Sequence, residues 1–322
     1  MEGSPRSFEN FVGIDVARDK FDVGVLPAGE AFSLAYDDNG IRDLLKRLRP
    51  LAGCLVVLEG TGGLEQRLVA ELQDAGLSVA VVNPRQVRDY ARGIGYLAKN
   101  DRLDAQVLAR FAQEVLPHAQ EKKPEKLREL EQLVARRRQL VDIRTAETQR
   151  AERMTSVKAR KSIDKVLKCL AKELKDIEAA MADIIQSDDT YRHKSEIVQS
   201  TPGVGQVTST TLVAELPELG LLNRQEIAAL VGLAPYDDDS GKRQGHRSVS
   251  GGRGSVRTVL YMAALTARRC NPIVKRFAER LEKAGKPFRV AITACMRKLL
   301  TILNVMVKRN TPWNPRIAGK NS

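Results

Sequence analysis

The strongest constraint on the fold lies in residues 10–116, where three strand patterns come in succession and helix then alternates with strand. "FVGI" and "FDVGVL" read as adjacent strands across the turn "DVARDK", and "AFSLAY" reads as a third. "IRDLLKRLRP" has helical spacing, "CLVVLE" is a short buried strand, and "LEQRLVAELQDAG" is a helix closed by glycine. "LSVAVVN" adds a strand and "DRLDAQVLARFAQ" a helix. The order expected is three strands, helix, strand, helix, strand, helix, which is an α/β domain.

The chain has 322 residues, enough for two domains with separate cores. Fifty-three lysines and arginines against 40 acids leave a net charge of +13, which favours a polyanionic partner, nucleic acid ahead of a membrane surface. The four cysteines, Cys54, Cys169, Cys270 and Cys295, form no CxxC pair. Each falls in an apolar-periodic segment, so buried thiols in a reducing compartment are expected. Three histidines and no paired cysteine argue against a zinc site. The N-terminus has no signal core and no run is read as membrane-spanning, so a cytoplasmic protein with no membrane partner is expected.

From Pro124 to about Ile185 the chain turns into charged helix. Ile163, Leu167, Leu170, Leu174, Ile177, Met181 and Ile184 step by four and three in alternation, a heptad seam. A break near "MTSVKARKS" would let two helices fold back on each other. The segment reads either as a spacer or as a dimerisation arm. A second globular unit follows Asp189, and the Pro-rich tail is expected to fray. The expected division is 10–118, an α/β domain; 124–186, a helical coiled-coil arm; 195–310, a mainly α domain; and 311–322, a flexible tail.

Four carboxylates carry the chemistry of the first domain. Asp15 and Glu59 end strands, and strand carboxyl ends in parallel regions of α/β sheets face the ligand crevice. Asp101 and Asp104, three apart at a helix start, share a face. Acids crowded together need cations or protons, and oxygen-only ligation suits Mg²⁺ or Mn²⁺, which in pairs can polarise a phosphodiester. Any one of them also reads as a plain turn or helix-start acid.

The strand order and these four acids resemble the DEDD centre of a RuvC-like, RNase H-type domain. The words "GIDVARDKFDV", "LEGTG", "VVNPRQVRDYARG" and "KNDRLDAQVLARF" are similar to the DEDD transposases of insertion sequences, relatives of the Piv DNA invertase described as bridge-RNA-guided recombinases. The resemblance extends over about residues 10–310. It implies Asp15, Glu59, Asp101 and Asp104 as metal ligands, and a serine nucleophile at Ser240 in "DDDSGKRQG". It further implies a 5′-phosphoserine intermediate, donor and target DNA, a structured noncoding guide RNA, and a homo-oligomer, dimeric or tetrameric in a synaptic complex.

In the second domain, "STPGVGQVTSTTLVAELPEL" looks like the hairpin of a helix-hairpin-helix module, with backbone N–H groups at Gly203 to Gly205 offered to a phosphate. A plain tight turn stays open. Lys242, Arg243, Arg247, Arg253 and Arg257 form a basic loop suited to gripping phosphates, and Ser255 is expected to cap the helix "VRTVLYMAALTARR". Asp237 to Asp239 have no role in this scheme, and no triad setting is evident for His246. Two apolar-faced helices joined at "AGKP" close the domain, their basic faces turned to nucleic acid or to solvent. The rival readings are a metal-dependent nuclease or junction resolvase using water, and a non-enzymatic basic architectural protein.

Overall fold

The computed structural model describes residues 8–96, 101–236 and 248–315, with the side chains of 101–103 outside that description. The chain divides into two compact units, Met1–Lys123 and Pro124–Ser322.

The first unit runs β1 (Asn10–Val16), β2 (Lys20–Leu26), β3 (Glu30–Ala35), α1 (Asp38–Leu48), β4 (Cys54–Glu59), α2 (Glu65–Asp74), β5 (Ser78–Val82), α3 (Pro84–Gly93) and α4 (Asp101–Val115). Its sheet has the order β3-β2-β1-β4-β5, with β1, β4 and β5 parallel and β2 and β3 antiparallel. This mixed α/β arrangement fits an RNase H-like domain.

Alternation sorts the side chains. Val12, Ile14 and Val16 pack with Ile41, Leu44 and Leu48 of α1 and Leu68 and Leu72 of α2 on one face. Phe11, Leu55 and Val57 pack with Val87 of α3 and Leu108 and Phe111 of α4 on the other. The sheet is thus covered by helices on both faces, as parallel strands require. Helix α3 is an addition to the expected order. Asn83 caps it by accepting from the Arg85 amide at 2.9 Å, and Pro84 supplies the first turn. Only Val87 of this helix is buried, so its apolar stripe is too thin to register as a period.

The second unit opens with α5 (Glu125–Arg153) and α6 (Val157–Gln186), two helices of 29 and 30 residues that pack against each other. The turn between them is Met154 to Ser156, and the Ser156 hydroxyl caps α6. Leu140, Leu170 and Leu174 form one cluster along the hairpin. Leu130, Val134, Met181 and Ile185 form a second with Val213 and Ala214, which lie further along the same unit. Much of the heptad seam is therefore covered by the chain's own α5.

The rest is α7 (Asp189–Gln199), α8 (Gln206–Glu215), α9 (Arg224–Val231), a ribbon of β6 (Pro235–Tyr236) and β7 (Ser248–Val249), α10 (Gly254–Cys270), α11 (Pro272–Lys283) and α12 (Phe288–Lys308). One core gathers Leu212, Ile227, Val256, Leu260, Leu299 and Leu303 from α8, α9, α10 and α12.

Two expectations need correction. Cys54 and Cys295 are buried, and burial pushes both thiols up to about 11, but Cys169 and Cys270 are exposed. Their helices are amphipathic, and these two positions fall on the outer faces. Second, α12 has 21 residues and contains an 18-residue stretch of mean hydropathy 1.6, so by length and composition it matches a membrane span after all. Its apolar side chains, among them Leu299, Leu300 and Leu303, are buried in the helical core, the placement of a core helix.

Candidate functional site

Register brings two of the four acids together. β1 and β4 pair in parallel up to Ile14 opposite Leu58, so the next residues, Asp15 and Glu59, lie side by side at the carboxyl edge. Both belong to the odd-numbered positions whose predecessors, Phe11, Leu55 and Val57, pack under α4. Gly13 lets that helix approach closely: a Cβ there would meet the Ala105 carbonyl oxygen at 2.2 Å and the Ala109 nitrogen at 2.3 Å. With Phe11 clustered with Leu108, Phe111 and Ala112, and Gly13 against Ala105 and Ala109, the strand climbs toward the first turn of α4. Asp101 opens that turn and Asp104 stands within it, half-buried. The sequence's four acids thus converge by topology on one end of one sheet face. The side chain of Asp101 lies outside the described residues, and among the described residues no group of three or more His, Cys, Asp or Glu side chains is arranged to hold a metal ion.

A fifth acid escaped the sequence reading. Asp22 is opposite Asp15 in the β1–β2 ladder and is 2% exposed. It accepts from Lys20 Nζ at 2.8 Å and from the Ser33 hydroxyl on β3. A buried carboxylate is tolerated when paired and hydrogen-bonded in this way. Its signal was an acid at an inward position of an alternating strand, "KFDVGVL". The carboxylates gathered at this edge are oxygen ligands, which fit a hard divalent cation by ligand chemistry.

In the second unit, Gly203 has a φ of 96°, and a Cβ there would meet the backbone of Ala267 on α10 at 2.7 Å. Gly205 is the N-cap of α8, with open space around its Cα. The turn they make is thus packed on α10 through Gly203 and open at Gly205.

The segment carrying Ser240 leaves and re-enters the described structure through the β6–β7 ribbon, where Pro235 pairs with Val249 and Tyr236 with Ser248. Ser240, Lys242, Arg243, Arg247, His246 and Asp237 to Asp239 lie outside the described residues. The base of the ribbon is built tightly. Arg253 donates to both Glu218 carboxylate oxygens, each at 2.5 Å, and to the Glu215 carbonyl at 2.8 Å. Arg257 donates to the carbonyls of Val231, at 3.2 Å, and Gly251. Both guanidinium groups therefore have protein partners that tie the ribbon to α8 and α9. The N-cap position of α10 is Arg253, and Ser255 is the second residue of the helix, where its hydroxyl serves Glu215 instead.

Burial raises the Glu215 pKa, against the opposing pull of Ser255, Arg138 and Arg253, and its Oε2 is buried without a hydrogen-bond partner. A carboxyl whose folded pKa is raised binds more protons folded than unfolded. Its favourable contribution is complete below the ordinary carboxylate range and is lost as pH rises through the folded value. Glu215→Gln should therefore gain stability relative to the parent as pH rises from 4 to 7. Urea midpoints at the two pH values check this, and a constant difference would refute it.

Comparison with known proteins matches two family models to this chain. One, described as Transposase and built on the DEDD transposases of IS110 elements, covers residues 12–156. The other, Transposase IS116/IS110/IS902 family, covers residues 195–279. The pilin gene-inverting protein of Moraxella bovis is 25% identical over 96% of this chain and 99% of its own length. That of Moraxella lacunata is also 25% identical, over the same shares. The transposase for insertion sequence element IS1111A of Coxiella burnetii is 26% identical over 66% of this chain and 65% of its own.

Proposed function

Because the chain belongs to the IS116/IS110/IS902 family of transposases and is thus a DNA transposase or recombinase, we propose that it cuts and rejoins insertion-sequence DNA through a serine nucleophile. Ser240 Oγ attacks the scissile phosphorus, the bond from phosphorus to the 3′ oxygen breaks, the hydroxyl proton passes to solvent or a nearby base, and the departing 3′ oxygen takes up a proton from solvent. The products are a 5′-phosphoserine and a free 3′-OH, and reversal by another 3′-OH reseals DNA without an external energy source.

Asp15, Glu59, Asp101 and Asp104 are the residues that would hold Mg²⁺ or Mn²⁺. When bound, such an ion supplies stabilisation of negative charge on the reacting phosphate. Asp22, on the strand beside Asp15, holds Lys20 of its own strand and Ser33 of β3 in place. The observation that carries the reading is the convergence of Asp15 and Glu59 on the sheet edge that α4 covers.

Trapping on a nicked DNA substrate tests it. A covalent protein–DNA adduct should form with the parent, map to Ser240, and vanish in Ser240→Ala and Asp15→Asn. Robust cleavage by Ser240→Ala would instead make water the nucleophile, as in a junction resolvase.

The family resemblance also supports a structured noncoding RNA that pairs with donor and target, leaving backbone and shape to the protein. Full recombination after ribonuclease treatment would remove that element. The reading places the enzyme in the cytoplasm, on DNA, as a homo-oligomer. Ile143 and Val166, on α5 and α6, are 43% and 42% exposed on the arm and offer a contact for a second copy. Ile143→Asp combined with Val166→Asp should reduce the mass seen in light scattering, and an unchanged mass would defeat the arm as the assembly surface.

A further inference from the structure

The chain's charge is concentrated to an unusual degree. Residues 251–310 contain fourteen lysines and arginines against two acids, Glu279 and Glu282, a net +12 out of the whole chain's +13. The remaining 262 residues are therefore close to neutral. This segment is α10, α11 and α12 with their connections, and neither α10 nor α12 contains an acid.

The same segment exposes large apolar side chains. Tyr261 and Met262 on α10 are 38% and 58% exposed, and Phe288 at the start of α12 is 49% exposed. Tyr261, Leu265 and Arg268 are spaced i, i+4, i+7 and so share one stripe of α10. Arg268 joins that stripe to α12, its guanidinium carbon 5.2 Å from the Phe288 ring centroid. An ion pair with Glu282 holds the guanidinium there. One face of Phe288 is thus fixed by a cation, and residues 282–290 around it are all exposed. Nearby, Arg280 and Lys298 lie over the Phe277 ring at 5.1 and 5.4 Å, and burial together with Arg280 lowers the Lys298 pKa.

We propose that the α10–α12 face, with Tyr261 and Phe288 as stacking platforms and the surrounding arginines as phosphate contacts, binds an unpaired DNA strand. The inference deepens the proposed function, on which it rests for its partner. Charge selects the occupant. A second copy of this face would bring like charge against like charge, and an isologous contact here is disfavoured. A purely duplex-binding surface has no use for an exposed ring held flat by a guanidinium. Bases of a single strand do, because every base offers a π-face and stacking is sequence-tolerant. Cutting and exchanging strands leaves such unpaired segments, so the enzyme's own reaction supplies the ligand.

Fluorescence anisotropy with the full chain and a labelled mixed-sequence single strand of DNA reads the binding. Phe288→Ala and Tyr261→Ala should each weaken it about tenfold, and Phe288→Trp should restore it. Binding to the same sequence as duplex, and to poly-glutamate, should change less than about twofold because no charge is lost. The salt slope should stay that of the parent in Phe288→Ala and fall by about 0.7 in Arg269→Gln. Equal losses on duplex and poly-glutamate would make the face a general anion surface and overturn the proposal. No loss on single strands would overturn it too, as would a loss confined to RNA. Single-strand binding through Phe288 in a chain that never forms the phosphoserine would sink the proposed function and leave this inference standing. Adduct formation with Phe288→Ala and Tyr261→Ala binding like the parent would do the reverse.

Discussion

Gly13→Ala is expected to lower both the stability of the first unit and Mg²⁺-dependent DNA cleavage, the second by more than the first explains. The added methyl group would lie 2.2 Å from the Ala105 carbonyl oxygen, 2.3 Å from the Ala109 nitrogen and 2.6 Å from Leu108 Cβ. Two of these are backbone atoms, so no rotamer change relieves the overlap, and α4 has to move off β1. Overpacking of this kind costs about 1–3 kcal/mol. The consequence for chemistry is larger, because the same strand and helix carry Asp15 and Asp104. A displacement of about 1 Å at a catalytic constellation costs on the order of 100-fold in rate. Gly60→Ala is the control. It lies beside Glu59, yet its Cβ would find Val81 Cγ1 and the Val82 carbonyl oxygen at 3.7 Å, ordinary contact. Urea unfolding and cleavage of a labelled duplex read both variants. Parent-like cleavage by Gly13→Ala would show that α4 does not set the geometry of the acids.

Much of this edge was legible in the sequence, because it depends on two short-range rules. Period-two alternation assigns Phe11, Gly13 and Asp15 to one face, and helical spacing puts Asp101 and Asp104 on one turn. Asp22 obeys the same alternation but was missed, since a buried acid reads as a solvent-facing polar position until its partner on β3 is known. Ser33 is eleven residues away and in another strand, which is beyond any local pattern.

The second unit was harder to read for the same reason. Ser255 looked like a cap because it follows "GGRG", but the helix begins at Gly254 and the hydroxyl meets Glu215, forty residues earlier. Arg253 and Arg257 looked like phosphate ligands because arginine in a glycine-rich loop is otherwise unexplained. Their partners are Glu218 on one side and the carbonyls of Val231 and Gly251 on the other. The heptad seam was visible as a period, but a period does not say whether its partner helix is in the same chain. Here α5 covers Leu170 and Leu174.

Those same long-range contacts make the ribbon base the second sensitive point. Gly232 ends α9 with a φ of 75°, and Gly252 has a φ of 67°. The two backbones touch: a Cβ on Gly252 would lie 2.2 Å from the Gly232 nitrogen and 2.4 Å from the Val231 carbonyl carbon. This contact pins the strand leaving α9 against the strand entering α10, and the segment with Ser240 spans the gap between them. Gly251 provides an internal comparison. It has a similar φ, 69°, but nothing within 4 Å of its added Cβ. Alanine at 251 therefore carries only the left-handed backbone cost, about 1–2 kcal/mol. At 252 the same cost is joined by a backbone collision that splays the base of the ribbon. Gly252→Ala should thus reduce formation of the covalent DNA adduct by about 100-fold, while Gly251→Ala should stay within about tenfold of the parent. The helical core draws most of its members, among them Leu212, Leu260 and Leu299, from helices rather than from the turn, so it should still melt cooperatively in both. Adduct yield on a nicked substrate, alongside a circular-dichroism melt, separates the two outcomes. Equal losses from both variants would mean that the left-handed turn alone matters, and that the close passage of the two glycines does nothing to aim the serine.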